Sequence, residues 1–74
     1  MSWKLIEQYR ERAEGSRIAA EAATLDNVRE RHLESMTTWS ALARRAARVE
    51  VQREQLLADK KAERAAAALE QDAA

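Results

Sequence analysis

The chain has no cysteine, no proline, no phenylalanine and a single glycine, Gly15. Without cysteine there are no disulfides and no thiolate metal sites, which fits a reducing compartment. One glycine cannot build a glycine-rich phosphate loop. One histidine, His32, means that a zinc site would need carboxylates or several chains. No stretch approaches the roughly 20 apolar residues of a membrane span. The opening Met1-Ser2-Trp3-Lys4-Leu5-Ile6-Glu7 carries no apolar run of signal-peptide length. Neither sign of charge prevails, because thirteen Lys and Arg face thirteen Asp and Glu. That balance removes a whole-molecule attraction to nucleic acid or to an anionic membrane. The expectation is a cytoplasmic protein without membrane attachment.

What is present is Ala, Glu, Leu, Arg and Lys, the composition of long helices and coiled coils. Arg supplies ten of the thirteen cations and suits forked pairing with carboxylates. At 74 residues the ceiling is one small domain. A monomer of this size buries little surface and is usually reinforced by disulfides, a metal or a partner chain. With the first two disfavoured, self-association is the remaining reinforcement.

Asp26 and Asn27 form the only adjacent pair of strong cap and turn formers. Asp26 is placed to accept from the N–H of Val28 or Arg29 and so to start a helix, with Thr24 as an alternative cap. Before this point Ile6, Tyr9, Ala13, Ser16, Ala20 and Ala23 recur at the alternating spacing of a coiled-coil seam. After it the same spacing runs through Val28, His32, Ser35, Trp39, Leu42, Ala46, Val49, Arg53 and Leu56, with Met36 and Ala43 widening the stripe. These patterns predict an all-α, two-helix antiparallel hairpin with a longer second helix. The first helix spans about 2–23, the turn 24–27 and the second helix about 26–70, with a frayed tail to 74. Folding the hairpin at 24–26 sets Ala13 and Ser16 opposite Trp39 and Met36, and Ile6 and Tyr9 opposite 41–46. Small residues thus meet large ones, as close packing demands. Gly15 sits one position off the seam. Either a close crossing uses its missing side chain, or the site has simply drifted.

The arms are unequal. At 1.5 Å per residue the helices measure roughly 33 and 65 Å, so the first covers the second to about residue 48. Val49, Val51, Leu56 and Leu57 lie beyond it, an unusual apolar strip for a soluble monomer. A second hairpin would cover them, giving a homodimeric four-helix bundle. The predicted core is Ile6, Tyr9, Ala13, Ala20, Val28, Met36, Trp39, Leu42, Ala43 and Ala46. The predicted oligomer or partner interface is Trp3, Val49, Val51, Leu56 and Leu57.

Residues with chemical potential are few. His32, with Met36 one turn on, could form half of a haem-binding bundle, where His and Met are familiar axial ligands, but a histidine at the core edge, or one hydrogen-bonded to Glu or Asp, is the preferred reading. A di-iron carboxylate bundle needs Glu-x-x-His, and the position three before His32 is Arg29. Ser35, Ser40, Thr37 and Thr38 have no base placed beside them by spacing. Neither catalysis nor a cofactor is expected. The one basic patch runs from 43 to 53 and sets Arg44, Arg45, Arg48 and Arg53 against Glu50 alone. These four arginines are candidate anion-binding residues. The preferred alternative is a salt-bridged, solvated face, with Glu7 or Glu11 as acidic partners across the hairpin or in the second subunit.

Tyr9, Arg12-Ala13, Ser16-Arg17, Ala20, the Asp26 turn, Val28-Arg29, Leu33, Met36, Trp39, Leu42-Ala43 and Ala46 form a pattern. It resembles that of a set of short bacterial, mainly alphaproteobacterial, helical-hairpin proteins: Tyr-x3-Ala-x2-Cys/Ser-Arg, an Asp-led turn, then Met-x2-Trp-x2-Leu-Ala. The resemblance spans about residues 9–46. Ser16 stands where Cys is expected in that set, and Asn27 where Pro or Glu is common. The resemblance implies a cytoplasmic helical hairpin and transfers no functional residues. The functional expectation is a non-catalytic interaction or accessory subunit acting as a homo-oligomeric bundle, with another protein docking on the C-terminal helix as a variant. The alternative is a nucleic-acid-associated protein using 44–53.

Overall fold

A chain with no proline has nothing to stop a helix except its caps, and helix runs almost from end to end. The computed structural model describes residues 2–73. Helix α1 is Ser2–Ala22 and helix α2 is Asp26–Ala73, packed side by side as an antiparallel hairpin. The molecule is a rod, 74 × 15 × 13 Å. The helix expected to fray beyond about 70 continues through Ala73, and Ala74 lies outside the described residues.

Chain reversal takes three residues, Ala23, Thr24 and Leu25, with no positive φ angle among the described residues. The Ala23 N–H donates to the Ala20 carbonyl at 3.3 Å, tightening the last turn of α1. The Arg29 N–H donates to the Leu25 carbonyl at 3.0 Å, which puts Leu25 at the N-cap. The expected Asp26 cap is therefore corrected. Asp26 is the first residue of α2, and its side chain is 93% exposed. Its charge still suits the positive end of the helix. The Arg29 guanidinium reaches it at 3.4 Å and also donates to the Ala23 carbonyl at 2.9 Å. One arginine thus satisfies a terminal carbonyl of α1, supplies a cation at that negative helix end and ties both helices to the turn.

The inner face of α1 follows the predicted seam. Ile6, Ala13 and Ala20 are buried, and Tyr9, Ser16 and Ala23 are half-buried. Among the described residues Ile6 is the one large side chain with no exposure, a burial worth about 1.5–3 kcal/mol. The inner face of α2 is rotated from the prediction. It runs through Met36, Trp39, Ala43, Ala46 and Glu50, with Ala43 and Glu50 buried. Leu42, expected in the core, is 36% exposed, and Ser35 and Val49 are also exposed. The physical reason is size. The helices approach over Ala13, Ala20 and Ala43, and an alanine at 43 allows a separation that a leucine at 42 would prevent.

Trp39 joins the helices. Its ring stacks on Tyr9 with centroids 5.8 Å apart, and the Arg12 guanidinium lies over it at 4.9 Å. It is half-buried between these two side chains rather than enclosed in a core. Gly15 is exposed, and a Cβ there would meet nothing within 4 Å. Within the hairpin no close crossing accounts for Gly15.

Candidate functional site

The two helices part company near residue 54. Trp3, on the first turn of α1, donates its indole N–H to Glu54 at 3.0 Å. Glu50 is only 7% exposed and pairs with Arg53 at 3.3 Å. The cover over α2 therefore extends past the expected limit of 48, because the long Trp3 side chain reaches forward along the partner helix. A carboxylate at an inner position needs such a partner, since an unpaired buried charge is costly.

Beyond Glu50 every described residue of α2 is exposed. The bare arm, 51–73, displays Val51, Leu56, Leu57 and Leu69 at 55, 55, 62 and 71% exposure. The predicted interface residues do not share one face. Val49 and Leu56 continue the line of Leu42 at intervals of seven, and this stripe borders a shallow groove shared with Leu5 and Tyr9 of α1. Val51 lies on the other side of α2, and Leu57 continues the inner face. Trp3 lies against the mouth of its own hairpin.

The candidate anion-binding arginines also divide. Arg44 and Arg48 line an open groove of about 530 Å³ between the helices, floored by Ala13, Met36, Ala43 and Ala47. Arg10 and Arg17 enter the same groove from α1. Arg45 faces the opposite groove beside Leu42 and Val49, and Arg53 is held by Glu50. The structure therefore assembles four arginines, two from each helix, in place of the contiguous run. The interval of seven between Arg10 and Arg17 places them on one face of α1, a signal readable only once the hairpin register is known.

Charge in this groove is unevenly satisfied. Arg17 donates to Glu14 at 2.9 Å and to Glu21 at 2.5 Å. Its guanidinium holds the Glu14 carboxyl below the usual carboxylate range, chiefly by hydrogen bonding, and the pair raises the Arg17 pKa in turn. Among the described residues no carboxylate lies within ion-pair distance of Arg10, Arg44 or Arg48. Within one chain neither Glu7 nor Glu11 supplies the expected acidic partner. Arg44 and Arg48, one turn apart, repel on this helix face.

His32 is half-buried in a dimple of α2 beside Val28, Ser35 and Trp39, whereas Met36 opens onto the grooves beside α1. The structure does not bring the pair to one site. Among the described residues there is no group of three or more His, Cys, Asp or Glu able to hold a metal ion. Among the described residues no helix is long and apolar enough to cross a membrane. No protein-family model, curated protein or solved structure matches the chain.

Proposed function

We propose that the protein is a non-catalytic interaction module that works as a homo-oligomeric helical bundle, in which the second copy covers the bare arm of α2. One observation carries this reading. A continuous helix runs on past the last contact with α1, Trp3 to Glu54, and every described residue from 51 to 73 is exposed, four large apolar side chains among them. An isolated helix of that length is marginal in water. Exposed apolar strips on small soluble chains mark association surfaces. A reducing cytoplasm suits a chain that relies on association rather than on disulfides.

Light scattering over a concentration series tests the reading. The mass should rise to at least twice the 8.4 kDa of one chain, and the helical signal of the arm should strengthen with it. A mass of one chain at every concentration, with a frayed arm, would reject self-association.

A second reading is supported by the convergence of Arg10, Arg17, Arg44 and Arg48 in one groove. Here the groove grips the phosphates of a nucleic acid. Binding to a duplex would then fall steeply with salt, and Arg44→Ala with Arg48→Ala would abolish it. No retention at low ionic strength removes this alternative.

A further inference from the structure

We infer that the occupant of the arginine groove is the acidic end of α2 from a second copy, delivered by an antiparallel pairing of the two bare arms. This rests on the self-association reading and specifies its surface, orientation and register.

Three apolar lines run along α2, and they end differently. The inner line Met36, Ala43, Glu50 continues by sevens to Leu57 and Arg64, so it turns charged where α1 stops. The line Leu42, Val49, Leu56 continues to Glu63 and Glu70. An antiparallel pair centred on Val49 would also set Arg45 against Arg53 of the other copy. The third line is Val51, Ala58, Ala62, Ala65 and Leu69, at steps of 7, 4, 3 and 4, and it stays apolar through the arm. Towards the hairpin this same face passes Ala47 and Arg44, and so leads into the arginine groove. Its small side chains permit close helix approach.

The charges along this face select one register. When the residue numbers of facing positions sum to about 115, Glu54 of each copy meets Lys61 of the other. Val51 faces the Ala62–Ala65 stretch, and Leu69 falls on Ala47. Asp72, one turn beyond Leu69 on this face, then comes level with Arg44, and Glu70, on the neighbouring line, reaches round towards Arg48; within one chain these cations have no carboxylate partner among the described residues. Arg10 closes the groove from α1. Each arm then overlaps the other hairpin over about 42–50, a short three-helix section; the middle is two arms alone, and each outer end is a hairpin alone. This offset rod measures roughly 95 Å, from 63 residue intervals at 1.5 Å each. Two hairpins fully overlapped would keep about the 74 Å length of one chain.

The absence of native cysteine makes the test direct. Ala58→Cys, near the expected axis, should crosslink efficiently with a short bismaleimide, and Val49→Cys should not. Small-angle scattering should give the roughly 95 Å length. Glu70→Lys with Asp72→Lys, in the exposed arm and so harmless to the hairpin, should weaken the dimer about tenfold. Adding Arg44→Glu and Arg48→Glu should restore it. A dimer of about 74 Å that crosslinks through Val49→Cys overturns this register while leaving self-association standing. A dimer indifferent to the Glu70 and Asp72 reversals overturns the groove assignment. A monomer at all concentrations overturns both.

Discussion

Helix α2 contains two regions of nearly equal length that obey different rules. From 26 to 50 it lies beside α1 and carries a buried or half-buried side chain at almost every turn of its inner face. From 51 to 73 every described residue is exposed. The break is already written on the inner face, where Met36, Trp39 and Ala43 give way to Glu50, Arg53 and Glu54. Charge density hardly changes across the break, with nine Asp, Glu, Lys and Arg residues in 26–50 and nine in 51–73. What changes is which face holds the small apolar residues. A helix can therefore continue while its partner ends, and the sequence marks that point by moving its apolar stripe.

The largest expected effect breaks the packed region. Trp39→Ala removes the Tyr9 stack, the Arg12 contact and most of the burial at the centre of the hairpin. Its cost should be about 3 kcal/mol, read by urea denaturation at fixed protein concentration. In the bare region, Leu69→Ala should leave monomer stability unchanged within about 0.5 kcal/mol. Equal costs at the two positions would erase the contrast.

Glu50→Leu sharpens the boundary. It exchanges a buried carboxylate held by one partner for an apolar residue on an apolar face, and should stabilise the hairpin by about 1 kcal/mol. A loss of stability would show that the Glu50–Arg53 pair fits the mouth of the hairpin better than an apolar side chain does. Gly15→Ala should add slightly less, about 0.5–1 kcal/mol, since the added methyl meets open space within a helix. Thermal denaturation would show it, and a lower midpoint would mean that an unseen neighbour occupies that space.

The smallest effect is acid sensitivity. Glu14 has its pKa lowered by Arg17, so its contribution is present above the ordinary carboxylate range and is lost as pH falls through the lowered value. The pair is on the surface and screened by solvent, so the loss should be slight. Glu14→Gln should flatten the acid limb of a stability-against-pH curve, whereas Glu63→Gln in the bare arm should leave it unchanged.

Much of this fold was legible because hairpins of regular helices announce themselves by period. The α1 seam, Ile6 through Ala23, was readable in full, since its residues alternate without competition from neighbours. The α2 seam was not. Leu42 and Ala43 are adjacent, and hydrophobicity alone favours the larger residue, while the approach of two alanine-lined helices selects the smaller. Asp26 looked like a cap by residue type, yet Leu25 holds the cap position and Arg29 ties the turn through a contact six residues back. The arginine groove was half-legible. Arg44 and Arg48 stood out as a run, but Arg10 and Arg17 join them only through tertiary register.

The outline of the molecule has its own consequence for how it moves. The rod is about five times as long as it is wide, and nearly all its amide vectors lie along the long axis because nearly all its residues are helical. Friction in solution therefore exceeds that of a sphere of equal mass, and the chain should emerge early from a sizing column even as a monomer. Amide relaxation would report end-over-end tumbling almost exclusively, so the molecule should present the correlation time of a much heavier protein while its spin about the long axis stays fast and unseen.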